Sequence, residues 1–208
     1  MPDDRMMPND ALRILFLAIE EVMGKDGMKA ALHGAKLERY IDNYPPKNLN
    51  LEVKFSEYGA VEQAVEDFYG ARGARAMLLR VGRATFDYGI KEQSAVLGLS
   101  GQALKAMPLP TTAKMKLLLE QMVAAVNKTV NQPAVLEEDA HSFIWVVSHC
   151  MCLYRPKHSS PACFVTLGGL MESTKWLTDK QFAVQEIACM NMGADACRFK
   201  ISKTPESV

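Results

Sequence analysis

Apolar positions in the first half of the chain recur every three to four residues, whereas those of the last third alternate. Leu12, Leu15, Phe16, Ile19, Val22 and Met23 form one stripe that opens behind Asn9, a good N-cap, and closes at Gly24. Asp26 caps a second helix to about Asn43, with Met28, Ala31, Leu32, Ala35 and Tyr40 turned inward, and Pro45-Pro46 stops it. Leu51, Val53 and Phe55 alternate and fit a short strand or an extended connection. Ser56 then caps a helix carrying Tyr58, Val61, Val65 and Phe68 to Gly70, and another begins near Gly73 with Met77, Leu78, Val81, Phe86 and Ile90. Gly82 sits inside this last helix. Glycine there costs about 1 kcal/mol relative to alanine, so another backbone is expected to pack closely against it. After a loop from Gly98 to Pro110, Thr111 or Thr112 starts a long helix with Met115, Leu118, Leu119, Met122, Val123 and Val126 on one side.

Past Pro133 the period falls to near two. Ala134 to Glu138 and Ser142 to Ser148 have the pattern of strands, Cys163 to Trp176 that of a helix, and Phe182 to Met190 and Cys197 to Ile201 that of two strands joined through Gly193. Helices first and strands afterwards define an α+β fold, with N-terminal helices packed on a small C-terminal antiparallel sheet. The 208 residues suit one domain with a helical extension. The expected organisation is a disordered tail over 1–8, a helical extension over 9–45 that could dimerise, and a ligand-binding domain over 46–203, with 203–208 again disordered.

Basic and acidic residues balance at 24 each, so no global field draws the chain to nucleic acid or anionic lipid. No apolar run approaches the roughly 20 residues of a membrane span. The first ten residues lack the apolar core of a signal peptide, so a cytoplasmic location with reduced thiols is expected. The 13 methionines serve as core filler or as the adaptable wall of a ligand pocket.

All five cysteines fall between positions 150 and 197. With Gly193 as the hairpin centre, Cys189 faces Cys197, and directly paired residues hold their Cβ atoms about 4.5–5.5 Å apart. Two such thiols can share a metal ion or form a disulfide. Glu186, three residues from Cys189, points to the other face of a flat strand and joins the pair only through a bulge or a helical turn. Nothing in the spacing brings Cys163 to the hairpin. By themselves these cysteines fit a metal site, inert buried thiols or a redox pair. His149, Cys150 and Cys152 make a rival ligand set without a fourth member. Phe143 and Trp145 share one strand face and suit either the core or the wall of a ligand pocket. Arg72, Arg75, Arg80 and Arg83 give their helix a basic face, solvated or anion-binding. His33, His141 and His158 lack triad spacing, and no nucleophile elbow, phosphate-binding loop or dinucleotide fingerprint is present.

The run CFVTLGGLME from Cys163, followed by VQEIACMNMGADACRF from Val184 to Phe199, resembles the 4-vinyl reductase domain family. The pattern is a cysteine, a glycine-bearing helix, Glu-x-x-Cys, a glycine turn, then cysteine and an aromatic. It covers 145–202, and Tyr69-Gly70-x-x-Gly73 through Arg80-x-Gly82-Arg83 is also similar. The family includes bacteriochlorophyll 4-vinyl reductase-like proteins and the sensory domain of phenol-responsive activators. The resemblance implies a fold shared with a vesicle-tethering subunit, in which helices and a small sheet enclose an apolar pocket. It also implies zinc held by Cys163, Glu186, Cys189 and Cys197. Four protein ligands would close that zinc to catalytic water and make it structural.

The function so implied is a zinc-containing sensor or carrier of a small hydrophobic or aromatic molecule, a tetrapyrrole included. One alternative is an enzyme or accessory factor of bacteriochlorophyll synthesis acting on a vinyl tetrapyrrole. Another is a dimeric scaffold without a ligand. No residue is assigned a catalytic role, and the lack of a hydride-cofactor motif speaks for binding over reduction. With no DNA-binding segment in the 208 residues, output is expected to pass through a partner or a homodimer interface.

Overall fold

Glycines at positive φ let two pairs of expected helices run together as bent single elements. A computed structural model of the chain describes residues 4–92 and 103–206. The first helix, α1 (Asn9–Gly34), continues through Gly24 at φ 75°. The second, α2 (Phe55–Glu92), continues through Gly70 at φ 67°. Residues with a Cβ resist that backbone conformation, so each glycine provides the bend at a position that pattern alone marks as a helix end. The α1 helix stops at Gly34, short of the expected Asn43, because Lys36 turns the chain at φ 58° and a 3-10 turn follows at Glu38–Tyr40.

Two short strands tie the ends of these helices together. Met6–Pro8 (β1) pairs antiparallel with Leu51–Lys54 (β2). Met7 is fully buried, the Phe55 N–H donates to the Arg5 carbonyl at 2.9 Å, and Arg5 Nε donates to the Asn131 carbonyl at 2.7 Å. Residues 4–8 therefore belong to the folded domain and are not a disordered tail. The segment expected as a helical extension, 9–45, packs against the helix that follows it. Leu12, Leu15, Phe16 and Ile19 of α1 share one core with Val61, Val65, Leu78 and Val81 of α2. That stripe is covered within the chain.

The second half contains α3 (Thr111–Thr129), β3 (Ala134–Glu138), β4 (Ser142–Val147), α4 (Phe164–Thr178), β5 (Phe182–Ala188) and β6 (Cys197–Pro205). Residues 103–106 are helical, and the rest of the loop expected from Gly98 lies partly outside the described residues. The four strands form an antiparallel sheet in the order β3-β4-β6-β5. Its register pairs Phe143 with Ile201, Trp145 with Phe199 and Val147 with Cys197. All six of these side chains are buried, in a core shared with Met115 and Leu119 of α3 and Leu167 and Leu170 of α4. The fold is α+β with helices first and an antiparallel sheet last. The β6 strand reaches Pro205, further than the alternation suggests, because residues 203–205 still pair toward β5 and the β3–β4 turn. Among the described residues no helix is long and apolar enough to cross a membrane.

Candidate functional site

Four helices and the sheet leave a mainly apolar cavity of about 200 Å³. Phe86 and Gly89 of α2, Met122, Ala125 and Val126 of α3, Trp145 of β4, and Val165, Gly169 and Leu170 of α4 line it, together with Ala11, Ile14, Tyr58 and Met151. The polar groups on its wall are mostly committed elsewhere. Thr85 Oγ1 donates to the Gly82 carbonyl at 2.7 Å, Thr129 Oγ1 to the Ala125 carbonyl at 2.9 Å, and Gln132 Nε2 approaches Met151 Sδ at 3.0 Å. Trp145 differs. It is 3% exposed, and its indole Nε1 has no hydrogen-bond partner among the described residues. A buried N–H left unmet costs about 1–3 kcal/mol. Phe143, the other aromatic expected at a pocket, lies in the sheet core with Lys203 Nζ 4.8 Å from its ring centre and does not line the cavity.

Beside the cavity all five cysteines converge as buried free thiols. Cys150 and Cys152 follow β4, Cys163 precedes α4, Cys189 follows β5 and Cys197 begins β6. The Sγ–Sγ distances are 3.7 Å for Cys150–Cys163, 3.5 Å for Cys152–Cys197, 3.9 Å for Cys152–Cys189, 4.0 Å for Cys163–Cys189 and 3.9 Å for Cys163–Cys197. Cys150 and Cys152, which the sequence pattern leaves outside the cysteine and glutamate set, thus stand within it. The strand does not continue to them. A 3-10 turn at Met151–Tyr154 folds both thiols back under α4 and the hairpin.

Glu186 reaches the same cluster through a bulge. It pairs with Phe199, but Ala188 pairs with Arg198, which makes Ile187 the extra residue. Ile187 turns outward at 47% exposure, and Glu186 and Cys189 then face the same side. The Cys163 N–H donates to Glu186 Oε2 at 2.9 Å, while Oε1 is buried without a partner. Burial, with the neighbouring Cys189 thiol adding to it, pushes the Glu186 carboxyl up to about 8. Contacts with neighbouring S–H groups, Cys150 first, hold Cys152 well below the ordinary thiol range and push Cys163 and Cys197 well above it.

A second buried network escapes a reading of the sequence. The Arg155 side chain is fully buried and bonds Glu66, with Glu62 3.6 Å away. His158 Nε2 lies 3.1 Å from Glu66, and Asn191 bridges the strand-to-helix loop to the hairpin turn. Glu62 and Glu66, four apart within a half-apolar helix, were the one local signal for it. Arg72, Arg75, Arg80 and Arg83 are exposed, a solvated face.

No family model matches the chain, and no curated protein matches it. Solved structures do. An H-NOX protein point mutant from K. algicida, in the unliganded Fe(II) state, is 13% identical with a TM-score of 0.61, over 97% of this chain and 97% of that one. An H-NOX protein from S. oneidensis in the Fe(II)NO ligation state is 16% identical with a TM-score of 0.56, over 94% and 99%. An oxygen-binding H-NOX domain related to soluble guanylate cyclases is 13% identical with a TM-score of 0.55, over 92% and 93%. At these identities the likeness establishes the fold. It overturns the resemblance to the 4-vinyl reductase family, because the chain folds like H-NOX domains along nearly its whole length. Zinc rested on that resemblance and falls with it, as does the bacteriochlorophyll reading. Two of these structures are described in Fe(II) states, and a group of thiols does not select zinc.

Proposed function

We propose that the chain is a small-molecule-binding sensor module of the H-NOX fold, which holds a small, mainly apolar ligand in the cavity beside Trp145. The observation that carries this reading is a mainly apolar cavity lined by Trp145, a buried residue whose indole N–H has no partner among the described residues. A ligand with an apolar body and one acceptor oxygen would remove both costs at once, the unfilled apolar space and the unmet donor. Engineered dry cavities of about 150 Å³ take up benzene, so about 200 Å³ suits a molecule of one ring with a substituent.

Among the similar structures are an oxygen complex and an Fe(II)NO state, and heme is named for that family. Heme does not fit the described residues of this chain. An axial ligand to heme iron is usually histidine, thiolate or tyrosinate, with methionine as a companion to histidine. None of the four histidines and none of the cysteines lines the cavity. Tyr58 does, but burial pushes its hydroxyl well above the ordinary range and disfavours the phenolate. No lysine or arginine lines the wall to meet propionate carboxylates, and the volume is below the roughly 300–1,000 Å³ of pockets for drug-sized ligands. The same argument weighs against a vinyl tetrapyrrole.

Calorimetry and thermal denaturation with phenol, indole and toluene test the proposal. Saturable binding at one site per chain, with a rise in Tm, is expected, and phenol should bind more tightly than toluene. Hemin should give no sharp Soret band at one equivalent. Stoichiometric hemin uptake, or no stabilisation by any of the aromatics, would sink it.

A further inference from the structure

The nine arginines divide between two settings. Arg5, Arg13, Arg39, Arg155 and Arg198 each bond a carbonyl or a carboxylate within the chain. Arg72, Arg75, Arg80 and Arg83 are exposed to water in the free chain and bond none of the described residues. All four stand on one helix, α2, after its bend at Gly70. We infer that this face of α2 docks an acidic segment of a partner protein, with carboxylates against the arginines and an apolar side chain against Phe68 and Tyr69.

Helical steps place these groups together. Arg72, Ala76, Arg80 and Arg83 follow at intervals of four, four and three, which is one helix face, with Arg75 beside it. Ala74, Leu78 and Val81 point the opposite way, into the core shared with α1, so packing holds the arginines outward. From Arg72 to Arg83 the stripe runs about 16 Å. Exposed Ala71 and Ala76 keep the surface low between the arginines, so a partner can come close. At the N-terminal end Phe68 and Tyr69 are 65% and 38% exposed, and their rings meet edge to face with centres 5.0 Å apart. A Cβ on Gly73 would lie 3.1 Å from Tyr69 Cβ, so Tyr69 sits over the first turn of the stripe.

Composition and length set the class of partner. Residues 68–86 hold four arginines, no lysine and no acid, although the chain has 15 lysines. Guanidinium forks match carboxylates in pairs of hydrogen bonds, and protein interfaces are enriched in arginine and aromatics and depleted in lysine. Asp67 precedes the stripe and Asp87 follows it. A nucleic-acid duplex or an anionic bilayer extends past both ends and would meet those carboxylates. A segment of about three helical turns fits between them. The balance of 24 basic and 24 acidic residues supplies no long-range field for nucleic acid either. Phe86 and Gly89 of the same helix line the cavity, so the docked segment would rest against a cavity wall, whichever ligand the cavity accepts.

The test is fluorescence anisotropy of the whole chain with a labelled helical peptide of about 16 residues, carrying glutamates at steps of three and four and leucines at one end. One peptide per chain is expected, with affinity that falls as salt rises. Arg80→Gln with Arg83→Gln should weaken binding about tenfold or more, and Phe68→Ala about threefold or more. Lys175→Gln with Lys180→Gln makes the same change of charge at exposed sites elsewhere and should leave binding unchanged. All these residues but the lysines lie on the proposed face, and all are exposed, so the variants keep the fold. Equal losses from the arginine and lysine pairs would reduce the effect to net charge and overturn the inference. So would the absence of saturable binding up to about 1 mM peptide. Tighter binding to a DNA duplex or to phosphatidylserine vesicles than to the peptide would overturn the class of partner.

Discussion

Gly82 and Val165 meet where the backbones of α2 and α4 touch. A Cβ on Gly82 would lie 2.1 Å from the Val165 carbonyl oxygen, and one on Gly168 would lie 2.2 Å from the Leu79 carbonyl oxygen. Each helix carries a glycine into the other, so neither backbone can take a methyl group without separating. Gly82→Ala is therefore expected to destabilise the fold by about 2 kcal/mol or more, against the gain that alanine normally brings to a helix. Chemical denaturation measures this. A Gly82→Ala protein of unchanged stability would contradict the close crossing.

Gly89, two further turns along the same helix face, has nothing within 4 Å of its would-be Cβ and lines the cavity. Gly89→Ala should stabilise the free protein by up to about 1 kcal/mol through helix propensity while weakening the binding of one-ring aromatics. Opposite signs in denaturation and calorimetry are the expected result.

Trp145→Phe removes the unmet donor and keeps most of the apolar wall. The free protein should change by less than about 1 kcal/mol, because the lost area and the relieved N–H offset each other. Phenol should lose about tenfold in affinity and toluene almost none. Equal losses for both would place the indole N–H away from the ligand.

Arg155 bonds Glu66 and stands 3.6 Å from Glu62, a buried carboxyl. Arg155→Met should cost about 3–5 kcal/mol, since it takes the guanidinium away from the buried Glu62 and the half-buried Glu66. Glu62 itself is pushed up to about 7, chiefly by burial, with Arg155 opposing. The folded state thus binds its proton more tightly than the unfolded state. The stability it contributes is complete below about 4.5, declines as pH rises and is lost above about 7. Urea denaturation across that window should show the decline, and Glu62→Gln should flatten it.

Asn191 is 1% exposed and ties three carbonyls together, its Nδ2 lying 2.8 Å from Cys152 O, 3.2 Å from Arg155 O and 2.9 Å from Pro156 O. Its Oδ1 accepts from the His158 N–H at 2.7 Å. Asn191→Ala should destabilise by about 2–3 kcal/mol, and Asn191→Asp by at least as much, because the new carboxylate would face those carbonyls. Thermal denaturation of both variants checks the order.

Local pattern was enough for the elements. The stripe Leu12–Leu15–Phe16–Ile19, the alternation in Ser142–Val147 and the misplaced glycine at 82 each report a backbone period or a steric demand within a few residues, and the α+β order follows from them. What depends on distant segments meeting was decided by tertiary structure alone. Gly24 and Gly70 have the same sequence signature whether a helix ends or bends, and only the packing of α1 on α2 selects the bend. The one-residue bulge at Ile187 turns Glu186 toward Cys189, a change of face that a period-two pattern cannot encode. Cys150, Cys152 and Cys163 come to the hairpin because a 3-10 turn and the start of α4 converge there, not because of their spacing. The cavity likewise exists only between elements, so Trp145 and Phe143, two residues apart on one strand face, end with different neighbours.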